Sequence, residues 1–163
     1  MQSMITNILF ATDLSQNSTF AFRHAVNLAG VTGAEIHVVH AREPLSEDAK
    51  VAMEMFMLNR GSREKALDHS ADLIKQTMIR RQKAFWDTLE ADDPDIRKRV
   101  TSIEVVEGYP AEVILRRARD MKCDLIVLGA HDHGLTHTFL GTVAKRVLRR
   151  STIPTLVVPF NEN

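Results

Sequence analysis

The segment Leu125-Ile126-Val127-Leu128-Gly129, entered from Asp124, is apolar at every position up to its closing glycine. A strand with one face in water alternates apolar and polar residues. A run without alternation has to be covered on both faces, as a central strand is in a parallel sheet held between two layers of helix. That demand constrains the rest of the chain. Each parallel neighbour needs a crossover that returns to the same edge, and a helix is the usual crossover.

The remaining sequence supplies both kinds of segment. Residues 5–12 (ITNILFAT) are apolar and β-branched, and they end in Asp13-Leu14-Ser15, the chemistry that stops strands and caps helices. From Ser18 the apolar positions Phe20, Ala21, Ala25, Leu28 and Ala29 recur at helical spacing, with Gly30 and Gly33 at the stop. Residues 35–41 (EIHVVHA) read as a second strand, with Pro44 soon after. Residues 47–89 are long for a crossover and carry Met53, Met55, Met57 and Met78. They read as one or two helices broken near Asn59-Arg60-Gly61-Ser62, with the methionines as core or interface filler. Residues 90–99 (EADDPDIRKR) read as a charged, solvated connection. Residues 100–108 form a third strand, Pro110 opens the helix AEVILRRARDM, LIVLG is the fourth strand, TVAKRVLRR the last helix and TLVVP a fifth strand. The expectation is an α/β protein with one domain over residues 1–163. It has a single open five-stranded parallel sheet, helices on both faces, and an extended helical insertion at about residues 45–97.

With 163 residues, 44% of them hydrophobic, the chain can bury one core and is short for two. Lys plus Arg and Asp plus Glu both number 21, so no net field draws the protein toward nucleic acid or anionic lipid. Cys123, the single cysteine, cannot close an internal disulfide, which fits a reducing compartment. No run approaches the ~20 apolar residues that span a bilayer. A soluble, cytoplasmic protein with no nucleic-acid partner and no membrane partner is expected.

Ligands of open parallel sheets sit beyond the carboxyl ends of the strands, where the strand order reverses. In a 3-2-1-4-5 order, strands one and four are neighbours at that reversal, and Asp13 and Gly129 meet at one crevice. Gly129 lets a ligand approach the backbone. Gly141-Thr142 opens a helix whose N–H groups and positive dipole end favour phosphate, and the Thr142 hydroxyl adds a donor. Glycine before a helix is common in α/β folds, so this spacing alone leaves phosphate binding as one option among several.

Taken together, ILFATDLS, IHVVHA, VEGYPAEVI and DLIVLGAHDHGLTHTFLGTVAKRVLRRSTIPTLVVP resemble the UspA-type universal stress protein family over nearly the whole chain. The resemblance implies a Rossmann-like fold of the adenine nucleotide alpha hydrolase type that binds ATP or AMP. Asp13 and the backbone near Val39 would hold adenine and ribose, and Gly129, Gly141, Thr142 and Val143 would face the phosphates. Leu128, His131, Asp132 and Gly134 would complete the surrounding loop. It also implies a homodimer in which the strand Thr155–Val158 pairs with its copy, which would protect an apolar edge.

Nucleotide-binding members of that family carry Gly, two residues, Gly, nine residues, then Gly-Ser or Gly-Thr. Here Asp132 stands at the second glycine, and eight residues separate it from Gly141. A carboxylate ~4 Å from a phosphate charge costs about 1 kcal/mol in water-like surroundings and about 4 kcal/mol at an effective dielectric of 20. Asp132 escapes this by pointing to solvent or by helping to hold a Mg²⁺ on the phosphates, and Gly134 can restore the loop's freedom. Retained binding is the favoured expectation. The alternative is a nucleotide-free universal stress protein acting as a dimeric interaction module.

Other chemistries fit less well. His131, Asp132, His133 and His137 include metal-ligating types, but their spacing is not diagnostic, since alternate residues of a loop need not point to one centre and no cysteine ligand is near. No GxSxG elbow and no GxxxxGK[ST] lysine is present, so binding rather than turnover is expected, with slow ATP hydrolysis as the upper limit. His37 and His40 read as packed histidines. Lys145, Arg146, Arg149 and Arg150 read as a solvated helix face, the last two also complementing the helix dipole.

Overall fold

The structure, a computed structural model, describes residues 4–44, 46–58, 63–130 and 140–160. Its elements are β1 (Asn7–Thr12), α1 (Gln16–Thr32), β2 (Glu35–Arg42), α2 (Glu47–Leu58), α3 (Arg63–Asp92), β3 (Val100–Glu107), α4 (Pro110–Asp120), β4 (Leu125–Gly129), α5 (Thr142–Arg150) and β5 (Thr155–Val158). The five strands make one all-parallel sheet in the order β3-β2-β1-β4-β5. The chain forms two compact units, Met1–Glu43 with Phe85–Asn163, and Pro44–Ala84.

β4 lies inside the sheet, and its uninterrupted apolar run feeds two cores. Leu125 and Val127 join Ile8, Phe10, Phe22 and Ala25 on the face covered by α1. Ile126 and Leu128 join Leu9, Val39, Ile114 and Val147 on the face covered by α4 and α5. The first core also receives Phe85, Trp86 and Leu89 from the end of α3. There Phe22 meets Phe10 edge-on at 4.9 Å and Trp86 at 5.6 Å. Edge-to-face pairs of this kind add about 0.5–1.5 kcal/mol each beyond the area they bury.

α1 begins at Gln16 with the Ser15 side chain as its cap, accepting from the Ser18 N–H at 3.2 Å. The structure departs from the sequence-based expectations in one segment. Residues 90–99 are not simply a solvated connection. α3 runs on to Asp92, a short 3-10 helix covers Ile96–Arg99, Ile96 is 3% exposed, and the Arg97 guanidinium stacks 4.8 Å over Trp86. Ile96 is the segment's one large apolar side chain and buries. The surrounding charges pair outside it, Arg97 with Glu90, Lys98 with Asp95 and Arg99 with Asp93. Met55 is 66% exposed and Val51, one turn earlier on α2, is 51% exposed; of core and interface filler, Met55 fits the second.

Candidate functional site

The carboxyl end of β1 turns sharply. Leu14 adopts φ 61°, the left-handed region that costs a bulky residue about 1 kcal/mol or more. Three side-chain hydrogen bonds hold the turn. Thr12 Oγ1 accepts from the Leu14 N–H at 2.9 Å and from the Ser18 hydroxyl at 2.7 Å, and Asp13 Oδ1 accepts from the Ser15 N–H at 2.9 Å. The Leu14 side chain packs against the core of the α1 face. Sequence therefore fixes this corner locally, through hydroxyls and a carboxylate that stand in for missing backbone partners.

The ends of β1 and β4 lie side by side, with Ala11 and Leu128 as register partners. β2 flanks β1 on the other side, so the strand order reverses between β1 and β4 and a crevice opens beyond their ends. It encloses about 590 Å³, counting the space open to solvent. Ala11, Val39, Ala41 and Leu128 give it an apolar floor. Thr12, Asp13, Ser15, Asn17 and Ser18 make a polar wall, and Pro110 and Ile114 of α4 face it with Gly129 and Val143. Apolar strand ends beside a few polar groups suit a heterocycle carrying polar substituents.

The sequence-based site residues distribute unevenly over this geometry. Asp13, Val39, Leu128, Gly129 and Val143 line the crevice together. Gly141 and Thr142 start α5 beside it and are not among its lining residues. The Gly141 N–H donates to the Ala130 carbonyl at 2.6 Å, which ties the start of α5 to the end of β4. That proton is used within the protein rather than held for a ligand. The first helical bond of α5 is donated by Lys145, so the Val143 and Ala144 amides lie ahead of it in the turn that favours anions. His131, Asp132 and Gly134, like His133 and His137, lie outside the described residues.

A side chain at Gly129 would meet no atom of the described residues within 4 Å, so packing against them does not account for the glycine, which lines the crevice. Thr12, Asn17, Ser18, Pro110 and Ile114 also line the crevice and are not among the sequence-based site residues. Hydroxyls at Ser15 and Ser18, three apart at a helix start and just beyond Thr12, were the available signal for the polar wall. Nothing local announced that α4 would supply the opposite one. Among the described residues, no group of three or more His, Cys, Asp or Glu side chains is placed to hold a metal ion, and no helix is long and apolar enough to cross a membrane.

Sheet order, crevice and helix layers define a doubly wound, Rossmann-like α/β protein with a crevice at the switch point. Residues 4–159 match the model of the universal stress protein family, and the chain belongs to that family. It is 27% identical to Universal stress protein MJ0577 of Methanocaldococcus jannaschii over 162 residues, covering 97% of each chain. It is 30% identical over 156 residues to a universal stress protein of Thermus aquaticus, covering 95% of this chain and 99% of the relative. Among solved structures, a universal stress protein in complex with cAMP superposes with a TM-score of 0.53 at 23% identity, covering 95% of this chain and 97% of that one.

Proposed function

We propose that this chain is a cytoplasmic universal stress protein that binds an adenine nucleotide, ATP or AMP, in the crevice between the tips of β1 and β4, with binding rather than turnover as its working event. The observation that carries the reading is the convergence of Asp13, Val39, Leu128, Gly129 and Val143 on one crevice at the switch point. The apolar floor takes the adenine, and the Asp13 side serves the ribose. Gly129, Thr142 and the first-turn amides of α5 serve the phosphates, with Gly141 allowing close approach. His131, Asp132 and Gly134 belong to the same site in this reading, with Mg²⁺ offsetting the Asp132 charge when phosphates are bound. A relative crystallised with cAMP supports the adenine class.

Calorimetry with ATP and AMP, with and without Mg²⁺, tests this on the wild type and on Gly141→Asp. Micromolar wild-type binding lost in the variant supports it. Silence in every titration of a folded wild type overturns it.

The second reading is a nucleotide-free interaction module of the same fold. The bond from the Gly141 amide to Ala130 favours it, because one phosphate donor of the expected loop is already engaged. Both readings include a homodimer through β5, whose residues Thr155, Leu156 and Val157 are half-buried on a sheet edge. A monomer at micromolar concentration in size exclusion with light scattering would remove the dimer.

A further inference from the structure

We propose that the outer face formed by α4 and α5 is a docking surface for an acidic protein segment. The two helices cover the same side of the sheet, their apolar faces meeting in one core through Ile114, Leu115, Ala144 and Val147. Their outward faces carry six exposed cations, Arg116, Arg119, Lys145, Arg146, Arg149 and Arg150, against two exposed carboxylates, Glu112 and Asp120. On a chain of zero formal net charge this is a strong local excess.

Internal pairing does not neutralise it. Glu112 stands 4.0 Å from Arg150, and Asp120 stands 3.8 Å from Arg117, a half-buried arginine that also pairs with Glu104. Arg116, Arg119, Lys145, Arg146 and Arg149 have no carboxylate partner among the described residues. The contrast lies within the same molecule, where Arg97, Lys98 and Arg99 each have an acid.

Helix stability does not account for the cluster either. Lys145 with Arg149 and Arg146 with Arg150 are like charges four apart, which destabilise a helix. Lys145 sits in the first turn of a nine-residue helix, where positive charge opposes the dipole, and Arg146 at its midpoint gains nothing from it. Only Arg149 and Arg150, in the last turn, gain from it.

The composition of the face selects the partner. Tyr109, exposed at the start of α4, is a lone aromatic rather than the row that base stacking uses, and Glu112 and Asp120 would repel a phosphate track, so nucleic acid fits poorly. Leu148 on α5, 45% exposed, and Tyr109 at the start of α4 are too little apolar surface for membrane insertion. Leu148, beside Lys145 and Arg149, suits an acidic segment with an apolar side chain among its carboxylates, whose planar groups match guanidinium forks.

The probe is a fluorescein-labelled peptide of about ten residues, mostly glutamate with two leucines, titrated by anisotropy at low salt and at ~0.15 M salt. Expected is saturable binding that weakens with salt and falls about tenfold or more in Arg146→Glu/Arg149→Glu. The equally charged Lys75→Glu/Lys98→Glu should stay within about twofold of wild type. If the first variant does not fold, Arg116→Gln/Lys145→Gln carries the same comparison. Parallel titrations use a single-stranded oligonucleotide and phosphatidylserine vesicles, and both should bind more weakly than the peptide. The proposal is overturned by equal losses in the two charge-reversal variants, by tighter binding of oligonucleotide or vesicles, or by no peptide binding at low salt.

Discussion

His40 on β2 reaches across to the end of β1: its Nδ1 lies 2.9 Å from the carbonyl oxygen of Thr12, and both residues are buried. A carbonyl only accepts, so Nδ1 carries the proton. The bond fixes the peptide that leads into Asp13, at the corner where the crevice begins. His40 is therefore a positioning residue for the polar wall. His40→Asn keeps an N–H near the place of Nδ1, whereas His40→Phe removes it and strands the Thr12 carbonyl. Nucleotide affinity, measured beside thermal melting, is expected to fall about tenfold in His40→Phe and to recover largely in His40→Asn. Equal affinities in all three proteins would refute the role.

Asp124 ties the start of β1 to the start of β4. Its carboxylate accepts from the Thr6 N–H at 2.9 and 3.1 Å, from the Thr6 hydroxyl at 2.8 Å and from the Asn7 N–H at 3.2 Å. Burial works to raise this carboxyl, but the Thr6 and Asn7 donors outweigh it and hold it below the usual range. A depressed folded value stabilises the protein above the unfolded value of about 3.9, and the gain is lost as pH falls through the folded value. Asp124→Ala is expected to cost about 1 kcal/mol at pH 7, the site being partly solvated, with the gap narrowing below about pH 4. Urea denaturation at the two pH values checks this; a gap independent of pH contradicts it.

Cys123 is 6% exposed, and burial, helped by the Asp124 charge, pushes its thiol up to about 11. The thiolate is the reactive form, so near pH 8 alkylation should run at least about 100-fold slower than in a denatured chain. Timed iodoacetamide labelling with and without urea measures the ratio. Fast labelling of the native protein would show that the site opens.

Gly108 links β3 to α4 at φ 151°, and a Cβ there would stand 2.8 Å from Cγ2 of Val113, itself 2% exposed. Neither the backbone nor the buried valine can yield cheaply. Gly108→Ala should destabilise by about 1–3 kcal/mol, and because Pro110 opens the helix that walls the crevice, it should also weaken ligand binding. A melting temperature equal to wild type would contradict the strain.

The fold was legible because its cues are local and agree with one another. The unbroken run of β4, the Ser15 cap, Pro110 at the first position of α4 and the Gly33 stop each state their own geometry in a few residues. Residues 90–99 read as solvated because charge dominates their composition, while one isoleucine, Ile96, decides their packing. The site was legible only in part. Asp13 and Gly129 could be named as strand ends, but the share of Ile114 and Ser18 in the crevice depends on which helix faces which strand.

Sequence by itself determined the alternation of strands and helices, the apolar faces that bury, and the polar corner after β1, since each is set by neighbours along the chain. Tertiary structure decided that Ala11 and Leu128 are register partners, that the Gly141 amide is taken by Ala130, and that the cations of α4 and α5 share one face. The physical reason is that those relationships are distances between residues far apart in the chain. They are fixed by sheet order and register, which no local spacing encodes.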